Sequence, residues 1–67
     1  MTGQRFEIVV RGRLSARYAT ALPGVTLEPR PGQTALRGEF ADQAQLYGLI
    51  DRLRDFGIEL ISVNAVG

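Results

Sequence analysis

One segment with clear helix start and stop signals constrains the fold of this chain more than any other feature. Asp42 stands three residues before Gln45, which is an Asp variant of the helix capping box. From Leu46 to Phe56 apolar residues recur at the i, i+3, i+4, i+7 spacing of a single helix face. Gly57 follows where a left-handed residue ends a helix. The pattern predicts an amphipathic helix over residues 42–56, and its apolar stripe needs a second layer to pack against.

Segments with alternating apolar and polar residues predict that second layer. The predicted strands are Arg5 to Arg11, Val25 to Glu28, Thr34 to Phe40 and Ile58 to Ala65. A short helix is expected over Ala16 to Leu22, with Ser15 as its N-cap and Pro23–Gly24 as its stop. The turn from Pro29 to Gly32 is too short for the crossover that a parallel pair requires, so it joins a hairpin.

The order of these elements predicts the fold class. Strand, helix, strand, strand, helix, strand is the split βαβ pattern of the ferredoxin-like α+β sandwich. Right-handed crossovers place both helices on one face of a four-stranded antiparallel sheet, with the first and third strands in the centre. The 67 residues suffice for one domain, over residues 1–67. Because so short a chain buries only about 60% of its unfolded surface, we expect a homodimer.

Two helices cover only one side of such a sheet, so the other face is expected to be exposed. The outward positions are Glu7, Val9, Arg11, Ala35, Arg37, Glu39, Leu60 and Ser62. Val9, Ala35 and Leu60 form an apolar strip among charged residues, and with Arg37 they are the predicted dimer interface. The alternative is that these apolar residues only satisfy strand propensity and stay partly wet.

A second candidate site surrounds the start of the first predicted helix. Arg11, Arg13 and Arg17 lie there with Ser15, and the free amides of a helix start favour an anion. The pattern indicates a phosphate or carboxylate site. The alternative is that the three arginines are solvated charges near Glu7 or Glu39.

The composition argues against several classes of function. Cysteine and histidine are absent and every basic residue is arginine, which leaves no thiolate nucleophile, histidine general base, Cys/His zinc site or Schiff-base lysine. We therefore expect no catalytic residues, no metal and no cofactor. A net charge of +1, with Val9, Arg11, Ala35 and Arg37 instead of aromatic residues on the central strands, disfavours nucleic acid as a partner. Without a leader or a run of about 18 apolar residues, a cytoplasmic protein without a membrane partner is expected.

Three segments resemble an uncharacterised group of small stand-alone ferredoxin-like proteins of high-GC bacteria. They are Val10-Arg11-Gly12-Arg13-Leu14-Ser15, Leu36-Arg37-Gly38, and Asp42-Gln43-Ala44 leading through Leu46-Tyr47-Gly48-Leu49 to Gly57-Ile58-Glu59-Leu60. The resemblance implies a fold and no activity. In that group a histidine often takes the place of Tyr47, so a role that needs titration there is in doubt.

These observations together predict a non-catalytic interaction or adaptor module. It is expected to be a homodimer joined through the exposed sheet face, acting beside an unidentified protein partner. The alternative hypothesis is a regulatory sensor that resembles the ACT-like domains and binds a small anionic ligand near Arg11 to Arg17.

Overall fold

Four strands and one helix make up the described part of the chain. The computed structural model describes residues 3–15, 17–18 and 24–66. The elements are β1 (Gln4–Arg11), β2 (Val25–Arg30), β3 (Gln33–Phe40), α1 (Gln43–Asp55) and β4 (Leu60–Ala65). The strand order is β2-β3-β1-β4 with antiparallel neighbours throughout, so the first and third strands are central as predicted.

The hairpin between β2 and β3 is tighter than the sequence pattern indicated. Arg30 still pairs with Gln33, so only Pro31 and Gly32 form the turn. Gly32 has a φ of 69°, and a proline followed by a residue with positive φ is the pattern of a type II turn. As a consequence β2 continues through Pro29 and Arg30, which the sequence pattern predicts as part of the turn.

Helix α1 has the two caps that the sequence predicts. The Gln45 amide donates to Asp42 Oδ1 at 2.9 Å, and the Gln45 side chain accepts from the Ala41 amide at 2.6 Å. At the other end Gly57 has a φ of 76°, and its amide donates to the Arg54 carbonyl. The Ile58 amide donates to the Leu53 carbonyl, which completes a Schellman motif.

The core lies between α1 and one face of the sheet. Its buried members are Ile8, Val10, Leu36, Phe40, Leu46, Leu49 and Leu53. Even-numbered residues of β1 and β3 face α1, because Ile8 pairs with Leu36 and both belong to this cluster. The odd-numbered residues therefore point to the opposite face.

The expected ferredoxin-like βαββαβ sandwich with two helices on one face is confirmed only in part. The described residues form an α+β fold whose four-stranded antiparallel sheet carries the single helix α1. The predicted helix over Ala16 to Leu22 lies largely outside the described residues. Arg17 and Tyr18 are helical, and the Tyr18 amide donates to the Ser15 carbonyl at 3.0 Å. The connection between β1 and β2 therefore contributes no second helix to the described structure.

Candidate functional site on the open sheet face

The face of the sheet turned away from α1 is called the open face here, since no described helix or strand covers it. Its residues are Thr26, Glu28 and Arg30 of β2, Gln33, Ala35, Arg37 and Glu39 of β3, Arg5, Glu7, Val9 and Arg11 of β1, and Ser62 and Asn64 of β4. Alternation along each strand fixes this assignment. Many residues of the open face are charged, and several of them form ion pairs with one another.

Glu7 is the centre of a four-membered ion-pair cluster on this face. Arg37 Nε donates to Glu7 Oε2 at 3.0 Å and Arg37 Nη2 lies 2.9 Å from the same oxygen, to which Arg30 also donates at 3.0 Å. Both arginines also reach Glu28 Oε1, Arg37 at 3.0 Å and Arg30 at 3.2 Å. We call Glu7, Glu28, Arg30 and Arg37 the charged cluster. It contains two charges of each sign and is neutral overall.

The charged cluster shifts the pKa values of Glu7 and Arg30. Hydrogen bonds, first from Arg37 and then from Arg30, hold the pKa of Glu7 below its ordinary value. Hydrogen bonds to Glu7 and then to Glu28 raise the pKa of Arg30. Glu7 is the most enclosed member, with a side chain 19% exposed against 49% for Arg37. Both shifts favour the charged forms of Glu7 and Arg30.

Beneath these side chains lie two apolar residues that the sequence places on an exposed surface. Ala35 is 0% exposed and Val9 is 7% exposed. Ala35 stands beside Val9 on β1 and Glu28 on β2, at the centre of the charged cluster. Because alanine is short, the long side chains from β1, β2 and β3 close over it. The apolar surface here is shielded within the chain by charged residues.

The four predicted interface residues are brought together only in part. Val9, Ala35 and Arg37 share the open face, as predicted. Leu60 does not pair with Val9, because the register shifts between Val9 and Val10, so that Ser62 faces Val9 and Leu60 faces Val10. This irregularity moves Leu60 away from the predicted strip.

Arg5 is a residue of this face that the sequence reasoning did not select. It lines a cavity of about 390 Å³ with Phe6, Arg37, Gly38 and Val66. It also lines a cavity of about 510 Å³ with Gly24, Thr26, Arg37, Gly38 and Glu39. Arg5 forms no ion pair with any described residue. The surface between Arg5 and Arg37 is thus a shallow depression with a cationic side chain available to a carboxylate.

Glu28 and Arg30 were also missed as open-face residues. The predicted strand Val25 to Glu28 already contains Glu28, which alternation places on the same face as Thr26, and extending that strand through Pro29 would have added Arg30. A proline is tolerated in an edge strand at a position whose amide points away from the sheet. This tolerance of proline in an edge strand could have indicated that β2 continues through Pro29.

The predicted anion site around Arg11, Arg13, Ser15 and Arg17 is not assembled as one pocket in the described residues. Arg11 Nε donates to Glu59 Oε1 at 2.9 Å, so an internal carboxylate already neutralises it. Arg13, Ser15 and Arg17 are exposed, and neither of those two arginines forms an ion pair with a described residue. Whether they bind an anion together stays a prediction.

The loop that carries Arg13 is nevertheless held firmly at its base. Thr34 is 1% exposed, and its hydroxyl donates to the Gly12 carbonyl at 2.8 Å. The same hydroxyl accepts from the Leu14 amide at 3.1 Å. The Thr34 hydroxyl therefore bonds the backbone just before and just after Arg13, and it holds the loop in place at this arginine.

The described residues also bear on metal binding and on membrane insertion. Among residues 3–15, 17–18 and 24–66, no group of three or more His, Cys, Asp or Glu side chains could hold a metal ion. No helix in the same part of the chain is long and apolar enough to cross a bilayer.

The fold and this face define a small α+β domain whose sheet is shielded by α1 on one side only. A family model described as Domain of unknown function (DUF8691) matches residues 5–64, and the chain belongs to this family. Comparisons with curated proteins and with solved structures gave no match. The finer resemblance to small ferredoxin-like proteins of high-GC bacteria stays a prediction.

Proposed function

We propose that this protein is a non-catalytic protein–protein interaction module that forms a homodimer through the open sheet face. The charged cluster is the observation that carries the proposal. It is neutral, it alternates in sign, and it lies on a sheet face that no described element covers. In an isologous dimer the same surface meets itself about a two-fold axis, so such a surface must contain its own complement.

The outer members of the charged cluster keep bonding capacity for a facing copy. The Glu28 side chain is 48% exposed, and both of its ion pairs use Oε1. Its Oε2 can therefore accept from an arginine of the second copy. Arg5, beside the depression at Arg37, has no carboxylate partner among the described residues and supplies such an arginine. Electrostatic complementarity of this kind sets specificity and orientation more than affinity.

The buried state of Ala35 and Val9 also bears on the proposal. Since both are shielded within one chain, the contact between copies would be polar and formed by the charged cluster and its neighbours. Removing a hydrogen-bonded pair from water costs free energy unless new partners are found. We therefore infer a weak, reversible dimer, as is common for adaptor proteins.

The experiment measures mass in solution for a variant that makes the open face repel itself. Thr26→Arg with Gln33→Arg adds two positive charges beside the charged cluster without altering any of its members. Ala44→Arg with Tyr47→Arg adds the same charge to exposed positions of α1 and is the matched control. Sedimentation equilibrium should show a mass above that of one chain for the wild type and the control, and a halved mass for the open-face variant. Equal masses for a folded open-face variant and its control would refute the open-face dimer.

A second candidate function is the binding of a small anion near Arg13 and Arg17. The observation that favours it is that both guanidinium groups are exposed without an ion-pair partner among the described residues, while Thr34 fixes the base of their loop. A regulatory domain similar to the ACT-like sensors would use such a site for a carboxylate or phosphate. This candidate differs from the first in that it predicts stabilisation by ligand.

A further inference from the structure

The two edge strands of the sheet differ sharply in how they are protected. An exposed edge offers unpaired amides and carbonyls to another strand, and proteins block such edges with charges and proline. Strand β2 carries Glu28, Pro29 and Arg30. Strand β4 and the residue after it, from Leu60 to Val66, contain neither a charge nor a proline. Within the described residues β4 has a strand neighbour on one side only.

Hydrogen bonding to β1 determines which groups of β4 point outward. The Val66 amide donates to the Arg5 carbonyl at 2.8 Å. Because inward and outward groups alternate along an antiparallel strand, the backbone groups of Ser62 and Asn64 also face β1. The backbone groups of Val63 and Ala65 then point outward in the plane of the sheet, away from β1. The same alternation places the outward amide positions of β2 at Leu27 and Pro29, and the proline has no amide to offer.

Apolar side chains are exposed along this edge, which carries neither a charge nor a proline. Leu60 is 38% exposed, Ile61 is 41% exposed and Val66 is 40% exposed. Three of the five large hydrophobic residues exposed in the described structure thus belong to this one short segment. An exposed edge with such side chains is a pairing site unless something covers it.

We propose that β4 pairs with β4 of a second copy of this chain, antiparallel about a two-fold axis centred on Val63. In this register Val63 meets its own copy, and the two exchange both backbone hydrogen bonds. Ser62 then faces Asn64 of the other copy on the open face, and the two polar side chains can bond to each other. Leu60 and Ile61, where the register of β4 with β1 shifts, lie at both ends of the contact, next to Ala65 and Val66 of the other copy.

The register explains why the occupant is a second copy. Like charges opposed across strands destabilise a pair, and self-pairing opposes every residue with one from the same segment. Because 60–66 carries no charge, self-pairing costs nothing electrostatically. The nearest acidic residue, Glu59, is already neutralised by Arg11. The exposed apolar residues Leu60, Ile61 and Val66 lie at the ends of the same contact.

This contact is separate from the open-face dimer and goes beyond it. A two-fold axis at β4 runs perpendicular to the sheet, so it joins two four-stranded sheets into one and leaves both open faces on the same side. The open face therefore remains available for its own contact. With both contacts formed and their two-fold axes meeting at a right angle, the assembly holds four chains in closed symmetry.

Amide hydrogen exchange tests the edge directly in the wild-type protein. If β4 pairs with a second copy, the outward amides of Val63 and Ala65 should exchange at least tenfold more slowly than the outward amide of Leu27 on β2. Leu27 is the internal reference, since it occupies the equivalent position on the other edge. Equal rates for these three amides, at a concentration where the mass shows association, would overturn the edge contact and leave the open-face dimer to its own test.

Two variants complete the test. Ala65→Pro copies the device that β2 uses at Pro29 and removes an amide that β1 does not need, and Ile61→Lys places a charge in the contact. Ala44→Lys on α1 is the control for the added charge. Each edge variant should halve the mass of the wild type while circular dichroism shows that it is folded, and the control should not. If the mass falls for the open-face variant but for neither edge variant, the edge contact alone is rejected. If the wild type is monomeric at every concentration, both the edge contact and the open-face dimer are rejected.

Discussion

Arg37 donates from Nε to one oxygen of Glu7, the residue directly opposite it on β1, and its Nη2 lies 2.9 Å from the same oxygen. The hydrogen bond from Val66 to Arg5 implies that Glu7 and Arg37 form a non-hydrogen-bonded pair of the β1–β3 ladder, where side chains are closest. Arg30 reaches the same oxygen from β2, across the buried Ala35. The Glu7 carboxylate therefore holds the side chains of Arg37 and Arg30 near Ala35, which would otherwise be exposed to solvent.

The lowered pKa of Glu7 predicts a loss of stability in acid. Its folded pKa lies below the ordinary value of 4.5, so the unfolded state binds the proton more tightly. The contribution of Glu7 is therefore fully present above about pH 4.5 and declines as the pH falls toward the lowered folded pKa. Urea unfolding should show the free energy of unfolding of the wild type falling more steeply below pH 4.5 than that of Glu7→Gln.

Glu39→Gln is the matched control for this experiment. It removes a carboxylate from the same sheet face, but Glu39 forms no ion pair with a described residue. Its acid profile should follow that of the wild type. If Glu7→Gln follows the wild type just as closely, the charged cluster does not contribute to stability in solution.

The hydroxyl of Thr34 is predicted to contribute more to the free energy of unfolding than its methyl group does. Thr34→Val keeps the volume but leaves the Gly12 carbonyl and the Leu14 amide without their partner. Each unsatisfied buried group costs about 1–3 kcal/mol, so we expect a loss of about 2–4 kcal/mol in the free energy of unfolding. Thr34→Ser retains both bonds and should lose only about 1 kcal/mol, as expected for one buried methyl group. Equal losses for Thr34→Val and Thr34→Ser in urea unfolding would contradict this account.

Local signals explain why α1 could be predicted closely from the sequence. Asp42 and Gly57 each act on amides within four residues of themselves, so their effect does not depend on the rest of the fold. The antiparallel pairing of β2 with β3 was predictable for a similar reason, since the short turn between them permits no crossover. The central position of the first and third strands followed from the order of the predicted elements and was confirmed.

Features that depend on distant residues could not be predicted in this way. Alternation alone placed Leu60 beside Val9, because nothing in the sequence of β4 marks the shift in register. The burial of Ala35 requires long side chains from β2, β3 and β1 to meet above it, a relationship that no single segment contains. Ending β2 before Pro29 then removed Arg30, one of those side chains, from the predicted face.

Ligand-dependent stabilisation separates the anion-binding candidate from the interaction module. If Arg13 and Arg17 bind a carboxylate or phosphate, millimolar phosphate or glutamate should raise the melting temperature, because a ligand of the native state alone stabilises it. Arg13→Ala with Arg17→Ala should abolish the rise. Arg52→Ala with Arg54→Ala removes the same charge from α1 and is the control. A rise that persists in the Arg13 and Arg17 variant is a general salt effect and rejects the site.

The middle of α1 offers a test of local helix energetics with little interference from packing. Gly48 is exposed, and apart from its chain neighbours and the adjacent backbone of α1, no described atom lies within 4 Å of the position that a Cβ would take. Glycine in a helix interior costs about 0.8–1 kcal/mol relative to alanine, so Gly48→Ala should raise the free energy of unfolding by about that amount. Gly57→Ala is the contrasting variant, because its φ of 76° is strained for any residue with a Cβ, and it should lower stability. A loss of stability in Gly48→Ala would mean that another part of the chain or a second copy packs against α1 at this glycine.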